Sequence, residues 1–159
     1  MVFTGRYEHT IDAKGRLAVP SDVRAQWRQE DGDAWYALPV QGMVRLYTEA
    51  GFRELAGSML PRTLATSQEA AEFKRLLFSR SARLPMDSAG RVRIPEWMLT
   101  EMGIGREVFV LGSGDCLEVV DRGEYGDTVA AGQEKLDALM GRIGVGLDGM
   151  GGGSAGGVV

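Results

Sequence analysis

The sequence is short of the residues from which most site chemistry is built. Its 159 residues include one histidine, His9, and one cysteine, Cys116. A lone cysteine cannot close an intramolecular disulfide, and one His with one Cys cannot fill an ordinary zinc site within a single chain. No apolar run approaches the roughly 18 to 20 residues of a membrane-spanning helix. The N-terminal Met1-Val2-Phe3-Thr4-Gly5-Arg6 lacks the apolar core of a signal peptide. A reducing cytoplasmic setting without a membrane partner is therefore expected. Positive charge is also in deficit. The 18 Lys and Arg stand against 22 Asp and Glu, a formal −4, which on the scale of the whole chain argues against a nucleic-acid binder. What is present, 44% apolar and 25% charged residues, predicts a folded domain rather than a disordered chain.

The charge is unevenly spread. Residues 1–80 carry 11 basic and 10 acidic side chains, and residues 81–159 carry 7 and 12, so the acid lies in the second half. Around the junction of the two, Arg80, Arg83, Arg91 and Arg93 have only Asp87 as an acidic neighbour between 79 and 95. Glycine is segregated as well. Nine of the 23 fall in residues 141–159, a stretch with the composition of a flexible linker.

An internal repeat organises the rest. Asp12-Ala-Lys-Gly-Arg16-Leu-Ala-Val-Pro20 recurs as Asp87-Ser-Ala-Gly-Arg91-Val-Arg-Ile-Pro95, and the likeness continues from Trp35–Leu38 and Met43–Tyr47 to Val108–Leu111 and Cys116–Val120. Each copy reads as a hairpin, a short helix and a second hairpin. Tyr7, His9 and Ile11, then Leu17 and Val19, alternate with polar neighbours as half-buried strands do. Two copies of about 50 residues are each too small to bury much apolar surface alone, so one core built from both halves is expected. Ser21 is placed to cap the short helix. Thr66-Ser-Gln-Glu69 reads as a capping box opening a helix with Phe73, Leu76 and Leu77 inward. A last helix is expected from Asp121 towards Met140.

The repeated turns carry the candidate chemistry. Asp at the first and Gly at the fourth position, Asp12 with Gly15 and Asp87 with Gly90, fit a type I turn closed by a positive-φ glycine bulge. The aspartates can serve simply as acceptors for nearby backbone N–H groups. Arg16 and Arg91 follow these turns directly. Each can pair with its own Asp, or it can capture an anion, since guanidinium offers two parallel N–H donors to phosphate or a guanine edge. A two-stranded ribbon fits the major groove of B-DNA. Lys14 adds a cation at the first tip where the second copy has Ala89, and Arg6, Arg83 and Arg93 lie on the same solvent-facing positions. Double-stranded DNA is the expected partner of Arg16, Lys14, Arg91, Arg6 and Arg93.

These twin motifs resemble the tandem DXXXR motifs of the MraZ family, and Gly5-Arg6-Tyr7 and Val108–Gly112 extend the likeness over roughly residues 1–125. MraZ proteins are similar to AbrB and SpoVT regulators. The resemblance implies a mainly β, α+β fold, a pseudo-twofold swapped-hairpin β-barrel made by both halves of one chain, with packing helices. It places half one at 5–52, connecting helices at 53–80, half two at 81–124, a C-terminal helix at 125–140 and a Gly-rich tail at 141–159. It further implies a ring-like homo-oligomer at the nucleoid, acting on short direct repeats before the division and cell-wall gene cluster. Arg16 and Arg91 fall on the family's arginines, Asp12 and Asp87 on its aspartates.

Two other classes compete. An enzyme would need a site that the sequence does not supply. Gly112-Ser-Gly114 is followed by Leu117 where a dinucleotide fingerprint needs glycine, and Ser113 and Cys116 have no partnering His. No catalytic residue, metal, cofactor or small-molecule substrate is expected. An AbrB-like antitoxin or assembly module is the second rival. Tandem copies favour the regulator, since such antitoxins usually carry one copy.

Overall fold

The computed structural model describes residues 1–59 and 67–144. The chain divides into two compact units, Met1–Glu124 and Tyr125–Val159. The first unit contains β1 (Arg6–Thr10), β2 (Arg16–Ala18), α1 (Ser21–Gln26), β3 (Ala34–Val40), β4 (Met43–Thr48), α2 (Glu49–Ser58), α3 (Gln68–Ser79), β5 (Ala82–Pro85), β6 (Arg91–Arg93), α4 (Glu96–Glu101), β7 (Glu107–Gly112) and β8 (Leu117–Asp121). Helix α5 (Arg122–Ala130) crosses the boundary, and α6 (Gly132–Ile143) belongs to the second unit. The class is α+β.

The strands form a six-stranded sheet in the order β1-β7-β8-β4-β3-β5, antiparallel throughout, and a separate two-stranded ribbon of β2 and β6. The two copies exchange partners. β1 of the first copy pairs with β7 of the second, Tyr7 opposite Val110, while β5 of the second pairs with β3 of the first, Leu84 opposite Trp35. β2 pairs with β6, Leu17 opposite Val92. The expected first hairpins are therefore not hairpins in their hydrogen bonding, because the two arms that each turn joins ladder with different strands. Nor do the described strands close into a barrel. Closure needs a ladder partner for both edge strands, and β5 is four residues long and ends in Pro85, which has no N–H to donate.

Period-two alternation fills two sides of the sheet. Trp35, Ala37, Val44, Leu46, Val108, Val110, Leu117 and Val119 join Leu17, Val92, Ile94 and Met98 in the main core, to which both copies contribute. The opposite face presents Leu38 and Tyr47, which with Cys116 meet Phe52, Leu55 and Leu77 of the helices. Phe52 is stacked on Tyr36 at 4.7 Å and meets Phe78 edge-on at 5.7 Å.

Helix ends and faces depart from the sequence pattern in three places. Ser21 does not cap α1. Pro20 is the N-cap, its carbonyl receiving the Val23 and Arg24 N–H groups, and Ser21 is already the first helical residue. Pro95 does the same for α4. In α3 the cap is Ser67, which accepts from the Ala70 N–H at 3.1 Å, while Thr66 lies outside the described residues. Phe73 and Leu76 are 55% and 54% exposed rather than inward. Leu77 packs inward as expected, and it is joined by Phe78, which meets Phe52 and lies about 100° of helical rotation further round, in place of Phe73 and Leu76. The expected C-terminal helix is two. Asp121 caps α5 by accepting from the Glu124 N–H, and the helix breaks at Ala131, just before Gly132 opens α6. Residues 145–159, most of the Gly-rich tail, lie outside the described residues.

Candidate nucleic-acid interface

Both turns are built alike. Asp12 N–H donates to Arg16 O at 3.0 Å and Gly15 N–H to Asp12 O at 3.0 Å, and Asp87, Gly90 and Arg91 repeat the pattern at 2.9 Å each. Gly15 and Gly90 stand at φ +78° and +75°, a region that L side chains avoid, which is why the fourth position is glycine in both copies. Asp12 Oδ1 receives the Lys14 and Arg16 N–H groups, both at 2.9 Å, and Oδ2 receives Arg16 Nε at 2.6 Å. Asp87 holds the Ala89 and Arg91 N–H groups and Arg91 Nε in the same way, the last at 3.0 Å. Backbone donation from Arg16, then its guanidinium and the Lys14 N–H, holds the Asp12 carboxyl at about 2, and the same causes lower Asp87. The two readings of the arginines thus combine. Each Asp engages Nε and orients the guanidinium, leaving the two Nη groups as the fork that a phosphate or base edge can meet.

The ribbon brings the two motifs onto one surface. β2 and β6 pair with Arg16 opposite Arg93 and Ala18 opposite Arg91, while Leu17 and Val92 between them point into the core. The outer face is therefore Arg16, Arg91 and Arg93 around a single Ala18. The ladder runs on into the turns, with Val19 N–H donating to Gly90 O and Ile94 N–H to Gly15 O, both at 2.9 Å. Like charges directly opposite each other in an antiparallel pair are destabilising. Three arginines on six ladder residues are a local conflict of the kind that folds carry at functional surfaces. Lys14 is exposed on the first turn.

Other candidates lie elsewhere. Arg6 is at the far end of β1, roughly 13 Å along the strand from Thr10 at 3.3 Å per residue, and its guanidinium sits 5.8 Å from the centroid of the Phe109 ring. Arg83, on β5, is paired with Asp33. Neither joins the ribbon. His9 is half-buried in β1, and burial, then Arg122, lowers its pKa, so it is a neutral strand residue at pH 7. Cys116 is buried beside Tyr47, and burial pushes its thiol up to about 12. One cation that the sequence did not suggest lies close by. Arg24 of α1 is exposed, donates from Nε to Val19 O at 3.1 Å, and lies over Gly90, where a side-chain Cβ would come within 2.6 Å of Nη1. Only the three-dimensional approach of α1 to the second turn reveals it, since the corresponding position of the second copy is the buried Leu99. Among the described residues no group of three or more His, Cys, Asp or Glu gathers as a metal site, and no helix is long and apolar enough to cross a membrane.

Fold and site together define an α+β protein with duplicated Asp-x-x-x-Arg turns that meet in one arginine-bearing ribbon. A family model described as "MraZ protein, putative antitoxin-like" matches residues 77–140. A protein of Mycoplasmoides gallisepticum titled "Transcriptional regulator MraZ" is 31% identical over 138 residues, covering 87% of this chain and 94% of its own length. Proteins with the same title from Ureaplasma parvum and Alkaliphilus metalliredigens are 30% and 28% identical, covering 79% and 91% of this chain and 86% and 100% of their own. The chain belongs to the MraZ family.

Proposed function

We propose that this protein is a transcriptional regulator that binds double-stranded DNA through the β2–β6 ribbon. The observation that carries the reading is the placement of Arg16, Arg91 and Arg93 on one face of a two-stranded ladder, two of them oriented by the turn aspartates. Such a ribbon enters the major groove, where a bidentate arginine on a guanine edge is worth about 1–3 kcal/mol of discrimination. The titles of the relatives point the same way. The exchanged pairing of β1 with β7, β5 with β3 and β2 with β6 supports a pseudo-twofold, swapped-hairpin arrangement in which residues 5–52 and 81–124 act as one DNA-binding unit. That unit acts on direct repeats in the promoter of the division and cell-wall gene cluster, at the nucleoid.

Self-association belongs to the same reading. Phe73 and Leu76 leave an apolar strip on α3 beside Leu38, Pro39 and Leu77, around a cavity of about 170 Å³. A homo-oligomer, ring-like in the family, would cover it and line up several ribbons, so that a small basic patch per chain gains avidity from effective concentration. The net charge of −4 then ceases to matter, because acidic surface beyond about 8 Å is screened at physiological salt.

The test is a gel-shift titration on DNA from upstream of the protein's own gene. Arg16→Ala is expected to weaken binding at least tenfold, an amount within the value of one bidentate contact, with unchanged circular dichroism and assembly. Equal affinity of wild type and variant contradicts the proposal. The antitoxin-like wording of the family model gives a second reading, in which the chain captures a protein partner and shows no preference among DNA sequences in the same titration.

A further inference from the structure

The two turns of the interface are unequal in sequence, and a residue from outside both motifs narrows the difference in charge between them. At the first turn Lys14 stands at the tip, and Arg93 from the opposite copy passes over the glycine, its Cγ 3.9 Å from where a Cβ on Gly15 would be. The second turn has neither cation from equivalent positions. Ala89 replaces the lysine, and Ala18 stands where symmetry would put the second arginine, opposite Arg91 in the ladder. Arg24 occupies that gap. Its Cδ, Nε and Nη1 lie over Gly90, the residue next to Ala89, its Nε is fixed by the Val19 carbonyl, and no acidic side chain pairs with it among the described residues. Gly90 has no Cβ to block this approach.

We infer that Arg24 is a DNA-backbone contact that belongs to the second turn, supplying from helix α1 one of the two cations that Ala89 and Ala18 do not. The inference rests on the ribbon reading above and extends it to a residue outside both motifs. An exposed guanidinium held by one backbone hydrogen bond and without an acidic partner among the described residues meets a phosphate without reading a base. Its loss therefore weakens binding to all sequences alike and removes one counterion from the salt dependence, whereas loss of a base-reading arginine erases the preference among sequences. A purely structural Arg24, serving only to pack on Gly90, predicts a different pattern: its removal loosens the second turn and leaves the salt dependence untouched.

Fluorescence anisotropy of the full chain separates these cases. Wild type, Arg24→Gln, Arg24→Lys, Lys14→Ala and Arg16→Ala are titrated against a duplex from the upstream region and against a scrambled duplex, between 50 and 200 mM NaCl. Arg24→Gln is expected to lower the slope of log K against log salt by about 0.9 per bound ribbon, as Lys14→Ala does, on both duplexes, and Arg24→Lys to keep the wild-type slope. Thermal unfolding shows whether the variants remain folded at the binding temperature. An unchanged slope for Arg24→Gln, alongside lost binding in Arg16→Ala, overturns the Arg24 assignment alone. Unchanged binding in Arg16→Ala overturns the ribbon reading, and the Arg24 assignment with it.

Discussion

At the residue scale the turn aspartates are already committed to the fold. Asp12 accepts two backbone N–H groups and the Arg16 guanidinium, which together hold its carboxyl at about 2 against an ordinary 3.8. The sign follows from the depressed value. The contribution of this ionised group to stability is fully present above pH 3.8 and fades as pH falls through about 2. A carbon-detected NMR titration of the Asp12 carboxyl is expected to give a midpoint near 2, and a midpoint near 3.8 would show that the turn does not hold Arg16. Cys116 behaves oppositely. Burial pushes its thiol up to about 12, so the native protein is expected to resist iodoacetamide at pH 8 and to react only after unfolding. Rapid native-state alkylation would contradict the packing of Cys116 with Leu38 and Tyr47.

At the scale of elements, the short strands matter more than the long ones. β2 and β6 are three residues each, yet Leu17 and Val92 at their centres are both 1% exposed and face each other across the ladder. Leu17→Ala is expected to destabilise the chain by about 2–5 kcal/mol in denaturant unfolding. Gly15→Ala introduces a Cβ at φ +78°, 2.9 Å from the Ile94 carbonyl, and is expected to destabilise it by about 1–3 kcal/mol through strain alone. Much of this was legible in the sequence. The repeat placed both turns, the Asp and Gly positions gave the turn type, and period-two alternation gave the strand faces. What escaped depends on which element approaches which. Alternation shows that Leu17 is inward without saying that its partner is Val92, seventy-five residues away, because a ladder is chosen by the whole sheet. In α3 the 3.6 period placed Leu77 inward, but Phe78, against Phe52, takes the place of Phe73 and Leu76 there. Arg24 gave no pattern at all, since its place depends on a glycine in the other copy.

At the scale of the whole molecule, the two halves form one object, and its charge has to be read by surface rather than by sum. The acidic second half and the arginine ribbon coexist because the exchange of strands brings Arg16 of one copy beside Arg91 and Arg93 of the other. The exposed Phe73 and Leu76 give that object a second face. If copies associate through α3 as proposed, Leu76→Glu is expected to lower the mass in light scattering while leaving the circular dichroism unchanged, and an unaltered mass would remove α3 from the proposed interface. The central claim is that the ribbon itself lies against DNA, and a cleavage reagent carried on the ribbon tests it most directly. Ala89 is exposed at the tip of the second turn and Cys116 is buried, so Ala89→Cys can be labelled selectively with an iron chelate. The turn between β7 and β8, at the other end of its strands, provides the control through exposed Ser113→Cys. Strand scission confined to the bound site from Ala89→Cys, and little from Ser113→Cys, is the predicted result. A bound complex that Ala89→Cys leaves uncut would place the DNA on another surface and contradict the account.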